Sequence, residues 1–255
     1  MNKEAYLKRI GFTGIPLPIE KTIHRLHRLH VFQVPFENLD IHFNKKISLL
    51  RNKIFKKIVE ENRGGFCYEL NYLFHLLLRE LGFSTQIISA RIFDSTGKRG
   101  PAFDHMAILV RHRLTWLLDV GFGDLFVQPL ALIEDKIQYD GRNYFMIKKY
   151  DRKNYIVLMS FDKITFEKKY TFSIVPQKIS SFKSICLAKQ FSKKSYFVKN
   201  IICTKPTRLG RITLFNDKLI VKSDGYKKEI AVANKSEQLA LLLNRFAIKI
   251  STSSL

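Results

Sequence analysis

The sequence predicts an α+β fold, helices first and strands after, from two features of its patterning and one of its size. Over residues 1–83 apolar side chains recur mostly at helical spacing, and from about residue 84 short strand-like runs take over, separated by turn residues. With 255 residues, 46% of them hydrophobic, the chain can bury a sizeable core. That length suits one large domain or two or three small ones packed together.

The elements follow in order. A Gly11–Pro18 loop precedes a helix at about 19–33, and another helix is expected near 48–61. The clearest helix follows Cys67, because Leu70, Leu73, Phe74, Leu77, Leu78 and Leu81 form one apolar stripe that Gly82 ends. Cys67 extends that stripe backwards and should face the interior. Strands are then expected at Thr85–Phe93, His105–Val110, Leu114–Val120, Tyr144–Lys149, Tyr155–Ser160 and Ile164–Phe172, a series that suits a barrel or a sandwich. Further strands are expected at Phe197–Cys203, Arg211–Phe215, Lys218–Val221 and Tyr226–Ala231, with a closing helix near Ser236–Phe246.

Composition narrows the function classes. No run of about eighteen apolar residues exists and the N-terminus has no apolar signal core, so a cytoplasmic protein with no membrane partner is expected. Cys67, Cys186 and Cys203 are odd in number and lack CxxC spacing, which makes neither a disulfide framework nor a zinc site. The formal net charge is +22, and residues 136–255 hold 25 of the 44 basic side chains against 8 of the 22 acidic ones. Such an excess suits nucleic acid, a membrane surface or a phosphate-bearing cofactor, or simply a solvated lysine-rich surface.

The stretch Arg63-Gly64-Gly65-Phe66-Cys67-Tyr68-Glu69-Leu70-Asn71 places a thiol where a glycine turn becomes a helix. Unpaired N–H groups and the positive end of the helix dipole favour thiolate there, so Cys67 is the candidate nucleophile. It needs a base and something to orient that base. His24, His27 and His30 share a helical face without a completing metal motif, and helical packing accounts for them; His75 and His112 are expected at the surface. His105 opens a strand that a short turn joins to the next. If Arg111–Arg113 is the loop and Val110 lies opposite Leu114, His105 lies opposite Asp119, close enough for the carboxylate to hold the imidazole.

At these residues the chain resembles the arylamine N-acetyltransferases. RGGFCYELN, the His105-Met106 strand and Asp119-Val120-Gly121-Phe122-Gly123 resemble the family's three catalytic segments in order and spacing, and Arg9-Ile10-Gly11 and Val34–Asp40 also match. The resemblance implies a helical domain over 1–83 carrying the nucleophile, a β-barrel over 84–185 carrying His and Asp, and an α/β lid over 186–255. It also implies a catalytic core similar to cysteine proteases and transglutaminases.

Carried over, it makes Cys67, His105 and Asp119 the catalytic triad and acetyl-coenzyme A the co-substrate, with no metal. Gly121, Gly123 and Ser195 would meet the coenzyme, Phe36, Ile92 and Phe122 would line the aromatic-acceptor pocket, and Arg9, Glu37 and Arg63 would form a buried charge network. Small aromatic amines or hydrazines are the expected acceptors, with no nucleic acid partner and a monomer or homodimer. The family's Ser-Thr-His-Pro-like run is not kept near residues 186–197, where Lys193 and Lys194 could instead meet phosphates. Two other functions fit parts of the sequence: a cysteine hydrolase using the same triad, and a non-catalytic module binding nucleic acid through the basic half.

Overall fold

The structure is a computed structural model that describes residues 1–223 and 225–250. The range 186–255 expected for the lid therefore runs beyond the described residues at Asp224 and 251–255.

Helices dominate the first part. The chain forms α1 (Lys3–Arg9), α2 (Glu20–Gln33), the two-residue strand β1 (Phe36–Glu37), α3 (Leu39–His42), α4 (Arg51–Phe55) and α5 (Cys67–Glu80). The expected helix at 48–61 is shorter and irregular, because α4 continues as a π-helical turn over Lys56–Glu60. That widened turn brings Lys57 inward, where it is buried. Leu70, Leu73, Phe74, Leu77 and Leu78 of α5 are fully buried against α1, α2 and the first face of the following sheet.

An eight-stranded sheet follows, made of β2 (Ser84–Ile92), β3 (His105–Arg111), β4 (Thr115–Leu118), β5 (Leu130–Ala131), β6 (Gln138–Tyr139), β7 (Tyr144–Lys149), β8 (Asn154–Ser160) and β9 (Glu167–Pro176). Its order is β5-β4-β3-β2-β9-β8-β7-β6, so β5 and β6 are the edges. Gln138 bridges them: its side chain accepts the Ala131 N–H at 2.7 Å and donates to the Ala131 carbonyl at 2.9 Å. The sheet is thus curled into a nearly closed barrel whose open seam is spanned by a side-chain amide. Alternation sorts its side chains. Met106, Ile108 and Val110 of β3 pack towards the helices, and Ala107 and Leu109 fill the barrel interior with Phe145, Val157, Tyr170 and Phe172.

The C-terminal part departs from expectation at its start. Phe197–Cys203 is apolar and aromatic enough to read as a strand, but Ser195 caps a short helix, α7 (Tyr196–Lys199), which follows α6 (Lys183–Phe191). The strand begins later, as β10 (Ile202–Pro206), and runs antiparallel to β11 (Gly210–Phe215), then β12 (Lys218–Ser223) and β13 (Tyr226–Ala231). Likewise the strand expected at 164–172 lies at 167–176. Helix α8 (Lys235–Phe246) packs Leu242 and Phe246 onto this sheet. The small sheet is attached to the helices through β1, whose Phe36 and Glu37 pair with Thr204 and Cys203.

Candidate active site

Cys67 is the first residue of α5 and only 4% exposed, facing inward as its place in the apolar stripe required. The turn before it is compact because of Gly64, where a Cβ would lie 2.0 Å from the Pro35 carbonyl oxygen. Phe66 precedes the helix in extended conformation, and the Glu69 carboxylate accepts its N–H at 3.1 Å, half of a capping box. The first-turn amides of α5, including those near the sulfur, lack intrahelical partners by helix geometry.

His105 opens β3, and its Nε2 lies 2.6 Å from Asp119 Oδ2, both groups buried. The Cys67 side chain acts on the same ring. Burial disfavours the imidazolium, yet the Asp119 carboxylate and the Cys67 sulfur outweigh it and raise the pKa from 6.5 to about 10. The three side chains therefore share one buried cluster. The register that brings His and Asp together differs from the expected one. Arg111 pairs with Thr115 and Val110 with Trp116, so the loop is His112–Leu114. Extended, this register sets His105 opposite Gly121 and makes Asp119 its diagonal neighbour. Because the slip is even, both side chains stay on the same face, and Asp119 reaches the imidazole from just past the end of β4.

Asp119 is held by several groups to which the sequence analysis assigned no part in orienting it. Asn71, one turn after Cys67 on α5, donates from Nδ2 to Asp119 Oδ1 at 2.9 Å and to the Met106 carbonyl at 2.6 Å, while its Oδ1 accepts the Val120 N–H at 2.9 Å. Gly121 donates its N–H to Asp119 Oδ1 at 3.0 Å. From behind, His27 Nε2 accepts the Asp119 N–H at 3.3 Å while its Nδ1 faces the Val127 carbonyl at 3.3 Å. Burial lowers the His27 pKa to about 4, so this imidazole is neutral, as that pair of roles demands. Tyr170 stacks at a tilt on His105, centroids 5.5 Å apart, with its buried hydroxyl unpartnered; burial and then the Asp119 charge raise the phenol well above its ordinary value. The i+4 spacing of Cys67 and Asn71 was the available signal for one of these residues. Tyr170, distant in the chain, gave none.

The other expected site residues divide. A Cβ on Gly121 would lie 2.7 Å from Asn71 Nδ2 and 2.8 Å from Cys67 Cα, so its bare backbone permits the catalytic segments to touch. Gly123 has φ +96° and faces the Phe36 ring. Phe36 and Phe122 line a small cavity with Asp119, whereas Ile92 lines a separate and larger one, so the structure does not bring these three together. Phe122 also packs edge-on against His105 at 5.4 Å. Ser195 is engaged locally, donating to the Lys189 carbonyl at 2.6 Å and accepting the Phe197 N–H at 3.2 Å. Lys193 and Lys194 are exposed.

The charge network also differs from expectation. Glu37 and Arg63 are in it, at 2.8 Å, but Arg9 instead donates to the carbonyls of Ile58, Gln33 and Arg63 at 2.9, 3.0 and 3.3 Å. Lys57 supplies the second cation, 2.9 Å from Asp40 and 3.0 Å from Glu69, and Arg63 also reaches Asp40 at 2.9 Å. Three carboxylates thus share two cations. The uncompensated charge shows at Glu69, where burial first, and then Asp40 and Glu37 against the pull of Lys57, raise the pKa from 4.5 to about 7. His75, expected at the surface, is buried against Thr85 Oγ1 at 2.7 Å, and burial lowers its pKa to about 4. Among the described residues no group of His, Cys, Asp and Glu is arranged to hold a metal, and no helix is long and apolar enough to cross a membrane.

Comparison with known proteins agrees with this arrangement of elements. A family model described as N-acetyltransferase matches residues 21–255. The chain is 30% identical to an arylamine N-acetyltransferase of Gallus gallus, pineal gland isozyme NAT-10, over 90% of this chain and 86% of the relative. Its fold matches that of the arylamine N-acetyltransferase from Salmonella typhimurium with TM-score 0.90 at 23% identity, covering 99% and 95% of the two chains. It also matches the Mycobacterium marinum arylamine N-acetyltransferase solved in complex with CoA, with TM-score 0.88 at 22% identity over 97% and 93%. With a buried cysteine at a helix start joined to a histidine and an aspartate, and with these relatives along its length, the chain belongs to the arylamine N-acetyltransferase family of acyltransferases.

Proposed function

We propose that the chain moves an acetyl group from acetyl-coenzyme A to the nitrogen of an arylamine, arylhydrazine or N-hydroxyarylamine, through a thioester on Cys67. The observation that carries this reading is the buried Cys67–His105–Asp119 cluster, with the imidazole fixed by the carboxylate at 2.6 Å and the Cys67 side chain acting on the same ring. The sulfur attacks the thioester carbonyl, the carbon–sulfur bond to the coenzyme breaks, and His105 gives its proton to the departing thiolate. The acceptor nitrogen then attacks the acetyl-Cys67 carbonyl, His105 takes a proton from that nitrogen, and the Cys67 sulfur leaves. Amides at the start of α5 are placed to stabilise the oxyanion in both halves.

Splitting the transfer lets donor and acceptor use one buried site in turn, and the 4% exposure of Cys67 limits water as a competing acceptor. We assign Gly121 and Gly123 to the donor side and Phe36 and Phe122 to aromatic acceptors, with Ile92 lining a separate cavity. The CoA bound by the Mycobacterium marinum relative supports the donor's identity. The three-part division at residues 83 and 185, and a core related to cysteine proteases and transglutaminases, belong to the same proposal.

The test is intact-mass spectrometry after mixing with acetyl-coenzyme A. Wild type is expected to gain one acetyl group and Cys67→Ala none, and an arylamine is expected to discharge the adduct faster than water does. Discharge at equal rates with and without amine would identify a hydrolase.

A further inference from the structure

The loop that follows β4 carries more of the site than its first residue. Asp119 holds His105, the Gly121 backbone lies against Cys67, and the Phe122 ring packs edge-on to the imidazole at 5.4 Å. The first half of the loop is tied down by Asn71 and by the Asp119 side chain, which accept the Val120 and Gly121 N–H groups. Its second half is held differently. Among the described residues one hydrogen bond reaches the backbone of Phe122, Gly123 and Asp124, and its donor is Arg211, whose Nη1 meets the Gly123 carbonyl. Gly123, at φ +96°, has no side chain to restrain it, so a loop without that bond would have little to fix it.

Arg211 stands on β11 of the small sheet and is only 8% exposed. Its guanidinium spans two parts of the molecule. Besides the Gly123 carbonyl it donates to Thr204 Oγ1 on β10 at 3.1 Å, and its Nε lies 2.7 Å from the exposed Asp124 carboxylate. A planar fork of fixed donors suits three acceptors set apart in this way, and a single ammonium does not. The hairpin that bears Arg211 is anchored in turn. Arg142, from the loop after β6, donates to the carbonyls of Thr207, Arg208 and Gly210, the last at 2.7 Å, and rests over the Phe32 ring of α2. Arg211 also borders both the small cavity that Asp119 and Phe122 line and an outer cavity of about 590 Å³, which makes it part of the wall between them.

We propose that Arg211 is a positioning residue for acetyl transfer, holding the Gly121–Gly123 loop against the Cys67–His105–Asp119 cluster from the small sheet. The inference rests on the acetyl-transfer reading above. Loss of this tether leaves the imidazole in place, because the bonds of Asp119 to His105 and Asn71 do not involve it. It lets Phe122 and Gly123 drift from the positions that shape the site, and a small misplacement slows a transfer that needs close approach to the sulfur.

The experiment follows two reactions of Cys67 in the full chain, acetylation by acetyl-coenzyme A and alkylation by iodoacetamide. Wild type, Arg211→Lys and Arg211→Gln are compared well below the melting temperature of each. Arg211→Lys keeps a charge beside Asp124, so it serves if Arg211→Gln does not fold. In both variants acetylation is expected to slow about tenfold, while alkylation becomes faster because the loop no longer lies firmly against Cys67. A role in stability alone would lower the melting temperature and leave both rate constants at their wild-type values, and that result overturns the proposal. A parallel fall in both rates also overturns it, since Arg211 would then act on the thiolate and not on the loop. If wild type forms no acetyl adduct and alkylation still speeds up in the variants, the transfer mechanism fails and the tether stands.

Discussion

Asn71 and Asp119 meet at 2.9 Å, and through that contact the helix that presents the nucleophile also fixes the carboxylate that steers the base. Asn71→Ala would leave one Asp119 oxygen and the Met106 carbonyl short of a donor in a buried site. A loss of about 1–3 kcal/mol in stability is expected, read by denaturant unfolding. In steady-state kinetics kcat should fall about a hundredfold with little change in KM, since orientation and not binding is lost.

The His105–Asp119 pair makes stability depend on pH with a defined sign. The folded pKa lies above its ordinary value of 6.5, at about 10, so the folded state holds the proton more tightly than the unfolded chain. The resulting stabilisation is complete below about pH 6.5 and is lost as pH rises through about 10. The melting temperature of wild type should therefore decline across that window. Asp119→Asn, which removes the charge that raises the pKa, should flatten the decline. An identical slope in both proteins would contradict the assignment.

Lys57 is the element of the charge network most exposed to test. Its ammonium meets Asp40 at 2.9 Å and Glu69 at 3.0 Å, so Lys57→Met leaves three buried carboxylates facing Arg63 alone. A destabilisation of about 3–5 kcal/mol is expected from urea unfolding. Glu69→Gln, which keeps an acceptor for the Phe66 N–H, should cost much less.

Gly121→Ala should be damaging out of proportion to one methyl group, because the new carbon would meet backbone at Cys67 Cα, 2.8 Å away. Acetylation of Cys67 is expected to slow at least tenfold, with about 1–3 kcal/mol of stability lost. Gln138→Ala is the contrasting case. It removes two hydrogen bonds across the barrel seam and should cost about 1–2 kcal/mol while leaving the acetylation rate unchanged.

These residues differ in how visible they were before the structure. Helix α5 was legible because its stripe is long and regular, and the pairing of His105 with Asp119 survived a wrong register because parity decides the face of a strand. The loop length was not legible, since Arg111–Leu114 offers no glycine or asparagine to pin the turn. Lys57 was hidden by its own charge, as nothing in a lysine-rich stretch marks the one that turns inward at a π-helical turn. The α7 segment failed for a related reason: Tyr196-Phe197-Val198 has strand composition, and only Ser195 as a cap tells otherwise. Asn71 and His27 converge on Asp119 and Tyr170 on His105, from three elements, a coincidence in space that only the i+4 spacing of Cys67 and Asn71 foreshadows.

Phe36 and Glu37 are stitched on both sides. Their backbone pairs with Thr204 and Cys203 of the small sheet, and Glu37 also donates its N–H to the Gly65 carbonyl at 2.9 Å, two residues before the nucleophile. A displacement of the C-terminal sheet would thus tug on the sulfur's own loop through main-chain links, while the imidazole, hung from the barrel, would stay put. The gap between nucleophile and base is in this sense set by how two sheets are moored to one short strand, and loosening that mooring would detune the enzyme without touching any reacting group.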